Sequence, residues 1–75
     1  MPHYCICSVN GDPPDRYWVL AESESHARRL VSFNVVEAAR AADIDKFECH
    51  VDKSHQPPYG WIYQPNGKSI SIANG

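Results

Sequence analysis

The chain has no apolar run near the roughly 20 residues that span a bilayer, and its first residues, Met1-Pro2-His3-Tyr4, lack the charged and apolar regions of a signal peptide. The expected location is therefore the cytoplasm, with no membrane partner. There is no basic excess either. Seven Lys and Arg stand against nine Asp and Glu, for a formal charge of −2, which argues against direct, non-specific nucleic-acid binding. The acidity is too slight to mimic DNA. A glycine-rich phosphate loop, a His-Glu-x-x-His helix and carboxylates paired at an informative spacing are all missing. With 75 residues there is little space for a pocket beside a core, so the expectation is a protein that is not an enzyme and carries no cofactor. Cysteine is sparse and odd in number. Three cannot all pair, and Cys5 and Cys7 are too close along one strand to bridge each other comfortably. Free, mostly buried thiols in a reducing compartment fit better than a disulfide framework.

What is present suffices for one small domain. An apolar fraction of 43% with eight aromatics, two Trp, four Tyr and two Phe, supports a thin core and argues against disorder. The most organised stretch is Ser23 to Ala42, where Ala27, Leu30, Val31, Val35, Ala38 and Ala42 recur at steps of three and four, the period of a helix with one buried stripe. Ser23 is the better N-cap candidate, with Ser25 the alternative, and Glu24 sits in the first turn, where the helix dipole favours an anion. Ser32-Phe33-Asn34 is the weak point, since none is a strong helix former. The reading favoured is one helix with a kink there; the alternative is a second short helix from Val35 to Ala42.

The rest reads as strands and turns. His3 to Val9 alternates, with His3, Cys5, Cys7 and Val9 on one face and Tyr4, Ile6 and Ser8 on the other. Asn10 to Asp15 is a turn. Arg16 to Ala21 is a second strand whose run Tyr17-Trp18-Val19-Leu20 implies cover on both faces. Lys46 to Asp52 alternates most cleanly, with Phe47, Cys49 and Val51 inward and Glu48, His50 and Asp52 opposite. Lys53 to Pro58 is a polar loop, Gly60 to Gln64 a fourth strand, Pro65-Asn66-Gly67-Lys68 a turn, and Ser69 to Ala73 a fifth strand with Ile70 and Ile72 inward. The fold expected over 1–75 is a single α+β domain of order β-β-α-β-β-β, a mostly antiparallel five-stranded sheet with one helix on one face. The last strand leaves an edge on which a second copy can pair as a homodimer.

Chemistry is thinner. Cys5-x-Cys7 and Cys49-His50 have ligand types, but structural zinc prefers ligands two to four residues apart in loops. Here the spacing is one residue on a strand, and His50 faces away from Cys49. Small buried hydrophobes are the better reading, and no metal is expected. Cys–His pairs for nucleophilic catalysis arise by chance in a chain with three Cys and four His. The aromatics carry more. Tyr59, Trp61 and Tyr63 fall at alternate positions and would line one face of the fourth strand, where they either pack the core or stay exposed as interfaces prefer. Arg28, Arg29 and Arg40 flank the helix stripe. A pair such as Glu24 and Arg28 is worth only a few tenths of a kcal/mol, and adjacent arginines are most often a solvated face.

Two stretches are familiar. Leu20-Ala21-Glu22-Ser23-Glu24-Ser25-His26-Ala27-Arg28-Arg29-Leu30 is a strand ending in an acidic-serine cap and an Ala-Arg helix, and Gly60-Trp61-Ile62-Tyr63-Gln64-Pro65-Asn66-Gly67-Lys68 is a closing hairpin. With the element order, they resemble small phage-encoded anti-CRISPR proteins that inhibit type I effector (Cascade) complexes, over about half the chain. The resemblance implies a non-enzymatic inhibitor that binds Cas effector subunits in the host cytoplasm and blocks the path of target DNA. Such inhibitors often use basic side chains, whereas this chain is slightly acidic and its expected helix is longer. Arg28, Arg29 and Lys68 are the basic positions inside the matching stretches. The candidate partner-binding set is thus Arg28, Arg29, Arg40, Tyr59, Trp61, Tyr63 and Lys68, directed at a larger host protein complex. Two other classes stay open: a single-stranded nucleic-acid binder that stacks bases on Trp61 and Tyr63, and a small thiol or zinc protein.

Overall fold

A computed structural model describes residues 1–9, 14–36, 38 and 46–73. The order is β1 (His3–Cys7), β2 (Arg16–Leu20), α1 (Glu24–Asn34), β3 (Glu48–Val51), β4 (Trp61–Tyr63) and β5 (Ser69–Ser71). The strands form one sheet in the spatial order β3-β1-β2-β4-β5, and every neighbouring pair is antiparallel. The α+β fold expected from the residue pattern is the fold observed. No helix among the described residues is long and apolar enough to cross a membrane.

The β1–β2 hairpin is central, running from His3 opposite Leu20 to Cys7 opposite Arg16. Its mouth closes where the Ser8 amide donates to the Asp15 carbonyl and the Asp15 amide to Ser8 Oγ, both at 2.9 Å. The turn expected over Asn10 to Asp15 lies, at 10–13, outside the described residues. On one face Tyr4 and Ile6 of β1, Tyr17 and Val19 of β2, and Ile62 of β4 pack against Ala27, Leu30 and Val31 of α1. Ala21, Val35, Ala38 and Phe47 complete this cluster, with Cys49, Ile70 and Ile72 against its rim. Val51 departs from its expected inward place. It is 53% exposed, because β3 is an edge strand and its far end extends past the cover that the helix supplies.

The helix begins as its sequence predicts. Ser23 is the N-cap in an extended conformation (φ −155°, ψ 170°), and its hydroxyl accepts from the His26 amide at 3.2 Å. It does not run unbroken to Ala42. Val35 is extended at φ −111°, ψ 115°, and ends α1 at Asn34. Two side chains explain the stop: Ser32 Oγ donates to the Arg29 carbonyl at 3.1 Å, and Asn34 Nδ2 donates to the Leu30 carbonyl at 2.8 Å. Such bonding back to carbonyls three and four residues earlier competes with the helix ladder and bends or ends it. Asn34 Oδ1 also accepts from the Ala73 amide at 2.8 Å, which fixes the helix end to the chain beyond β5. Val35 can then bury its β-branched side chain in the core at 2% exposure. Val36 and Ala38 are helical again. Arg40 and Ala42 lie outside the described residues.

The second sheet face is covered by chain. Between β3 and β4 the polypeptide has to pass from the sheet edge across β1 and β2, and residues 53–58 do so on the side away from α1. The His3 ring Nε2–H donates to the Pro57 carbonyl at 2.9 Å, Pro57 is fully buried, and His55 stacks on Trp18 with ring centroids 3.8 Å apart. This cover explains why Cys5 is 1% exposed although it faces away from the helix. All three cysteines are free thiols, Cys5 and Cys7 buried and Cys49 half-buried.

The core assignment has a direct check. Ile62→Ala removes a side chain with no exposure and should cost about 2–5 kcal/mol in urea unfolding. Val51→Ala, on the exposed edge, should cost under about 0.5 kcal/mol.

Candidate functional site

Alternation on β4 decides the site. Ile62 points into the core, so Trp61 and Tyr63 face the opposite, helix-free side. The same parity puts Arg16 and Trp18 of β2 on that side, since Tyr17 and Val19 point to the helix. One cross-strand row follows from the register: His50 opposite Cys5, Cys5 opposite Trp18, Trp18 opposite Tyr63, and Tyr63 opposite Ser69. Neighbours in such a row have Cβ atoms about 4.5–5.5 Å apart, so Trp18 and Tyr63 are adjacent positions on this face.

A groove of about 580 Å³ opens along this row, lined by Pro14, Arg16, Trp18, His55, Tyr63 and Pro65 among others. Its far wall is the β4–β5 turn. The Gly67 amide donates to the Gln64 carbonyl at 3.1 Å and the Gln64 amide to the Lys68 carbonyl at 3.0 Å. Gly67 is at φ +81°, and no described residue other than glycine has a positive φ. Pro65-Asn66 therefore makes the turn itself, and Gly67 takes the left-handed position after it. Asn66 Oδ1 accepts from the Lys68 amide at 2.9 Å, which stiffens the wall.

Trp18 is positioned from two sides. Its ring is stacked by His55, and its Nε1–H donates to Asp52 Oδ2 at 3.5 Å. Asp52 is held in turn, with Oδ1 accepting from the Ser54 amide at 2.8 Å and Oδ2 lying 3.7 Å from His50 Nε2. The Ser54 hydrogen bonds, ahead of those from Trp18 and the attraction of His50, lower the Asp52 pKa to about 2 despite an opposing desolvation. Burial first, then the charge of Asp52, pushes the Cys5 thiol up to about 11 against the pull of Arg16. Burial likewise raises Cys49, opposed by Arg28. These two thiols are thus protonated at neutral pH and poor nucleophiles.

The residues singled out from sequence fall in three places. Trp61 is 42% exposed and Tyr63 lines the groove. Tyr59 is 70% exposed but lies before β4 rather than on it. Gly60 at φ +90°, with the Trp61 amide donating to the Pro58 carbonyl at 3.1 Å, turns the chain between Tyr59 and the strand. Lys68 is exposed on the β4–β5 turn. Arg28 and Arg29 belong to α1, which packs on the other face of the sheet. Arg28 is tied down, its guanidinium donating to the Phe47 carbonyl at 2.7 Å, so it staples α1 to the start of β3; Arg29 is exposed. The aromatics and these arginines therefore sit on opposite sides of the sheet.

Sequence reading missed Arg16 and His55 and left Trp18 unused. The first and last share parity with each other and opposite parity to Tyr17 and Val19, a signal available in β2 alone. No local pattern announces His55, which reaches the groove by the long crossing of residues 53–58. The ligand-type pairs weighed from sequence, Cys5 with Cys7 and Cys49 with His50, are not the ones brought together. Cys49 packs on the helix side, whereas Cys5, His50 and Asp52 converge on the other.

The depressed Asp52 pKa makes a pH prediction. A carboxylate lowered from 3.8 to about 2 on folding contributes stability that is fully present above its unfolded value and lost as pH falls through the folded one. Urea midpoints should therefore drop between pH about 4 and about 2, and Asp52→Asn should flatten this part of the profile. No protein-family model matches this chain, and no curated protein or solved structure matches it.

Proposed function

We propose that this protein is a non-enzymatic inhibitor of the anti-CRISPR kind, which binds Cas effector subunits in the host cytoplasm through its helix-free face and blocks target DNA. The observation that carries the binding part is the grouping of Trp18 and Tyr63 with Arg16 in one groove, beside an exposed Trp61. Aromatic residues and Arg are the side chains that protein interfaces favour and on which binding energy concentrates. The target class rests on the resemblance of the Leu20–Leu30 and Gly60–Lys68 stretches. In this reading Trp61 and Arg16 are the anchors, and Arg28 stays structural because Phe47 holds it.

A second reading has its own support. The stacked Trp18–His55 pair, with Tyr63 and Arg16 close by, is also a platform for unpaired bases. The net charge of −2 weighs against it, since few phosphates are neutralised.

The test uses purified type I effector complex, target DNA and a mobility-shift readout. The native chain should form a stoichiometric complex and suppress DNA binding. Trp61→Ala, at an exposed position, should weaken that complex by about 30-fold or more, the loss of a 2 kcal/mol anchor, with no change in melting temperature. Absence of any complex at micromolar concentrations removes the inhibitor reading. If labelled single-stranded oligonucleotides then give a polarisation change that falls with salt, the second reading stands in its place.

A further inference from the structure

Three unlike metal-binding groups converge beside the groove. Cys5 of β1 and His50 of β3 are cross-strand partners, and Asp52 follows two residues after His50. The Sγ, one imidazole nitrogen and one carboxylate oxygen of these residues all lie within 4.8 Å of one another, with His50 Nε2 and Asp52 Oδ2 at 3.7 Å. Around tetrahedral zinc, with bonds of about 2.3 Å to sulfur and 2.0–2.2 Å to nitrogen and oxygen, ligand atoms sit roughly 3.3–3.7 Å apart. The His–Asp separation already fits, and the cysteine needs an approach of about 1 Å to reach the same range.

We propose that Cys5, His50 and Asp52 form a zinc site with one position left for solvent. The donor set selects the ion. A thiolate with an imidazole suits a borderline-soft ion, whereas calcium and magnesium require oxygen donors throughout. Charge balances as well: one thiolate and one carboxylate neutralise a divalent ion, with His50 binding as the neutral imidazole. On binding, the Cys5 thiol gives its proton to solvent, so affinity rises with pH. The carboxylate is oriented from outside the site, by the Ser54 amide on Oδ1 at 2.8 Å and the Trp18 Nε1–H on Oδ2 at 3.5 Å, as partners of metal ligands commonly are. Cys5 is fixed on β1, an interior strand paired on both sides, and His50 is exposed, which gives the ion a path of entry from the β3 edge. An ion pair alone accounts for His50 with Asp52, but not for a thiol facing both. The site is independent of the partner reading and can stand or fall without it.

Chelator-treated protein titrated with Zn²⁺, followed by native mass spectrometry and thermal melting, should bind one ion and melt higher with excess metal. Co²⁺ in place of zinc should give a thiolate-to-metal charge-transfer band. Cys5→Ser should abolish the band and the stabilisation; Cys7→Ser should keep both. His50→Gln changes an exposed side chain, preserves the fold and should also lose both, which keeps the test valid if Cys5→Ser fails to fold. Absence of metal binding by the native chain overturns the proposal. So does zinc binding that is equal in the native chain and the His50→Gln variant, which would place the ion on the other histidines.

Discussion

The β1–β2 hairpin sits in the middle of the sheet, and both of its faces carry apolar or thiol side chains that have to leave water. Tyr4, Ile6, Tyr17 and Val19 are covered by α1. Cys5, Cys7, Trp18 and Leu20 require a second cover, which the crossing from β3 to β4 supplies. The helix is the stronger of the two lids, with a continuous apolar stripe. The crossing is polar and Pro-rich, and it holds its place through discrete contacts, Pro57 on His3 and His55 on Trp18.

That asymmetry leaves one side of the sheet open. An apolar lid would have sealed the second face. A short polar lid reaches only as far as Trp18, on which His55 stacks, and leaves the rest of the β2–β4 side open as the groove between Trp18, Tyr63 and Arg16. The same crossing starts at Asp52, which connects the groove to the Cys5–His50 pair because its carboxylate touches both Trp18 and His50. The proposed partner-binding groove and the proposed ion site therefore share one carboxylate. On the helix side, Arg28 is held by the Phe47 carbonyl.

Much of this was legible in the residues one at a time. The alternation of Tyr17 and Val19 with Trp18, and of Ile62 with Trp61 and Tyr63, separates two faces without saying which is the core, and the Ser23 cap announces the start of α1. Three positions depart from the pattern of their segments. Val51 alternates like a core residue and is exposed, since sheet position determines how far the helix reaches. Val35 continues the helical stripe and is nevertheless extended, because Asn34 turns its side chain back to Leu30 and across to Ala73. Tyr59 keeps step with Trp61 and Tyr63, but the left-handed Gly60 removes it from the strand.

The sequence by itself determined the element order, the parity of every strand and the start of the helix, because these depend on periods of two and 3.6 residues and on a single capping hydroxyl. Only the tertiary structure decided the sheet order, which of the two readings of the helix at Asn34 holds, and the meeting of Arg16, Trp18, His55 and Tyr63. It alone also brought Cys5 to His50 and Asp52, some 45 residues later in the chain. Local periodicity says which way a side chain points, but only strand pairing and the path of the β3–β4 crossing say what it points at.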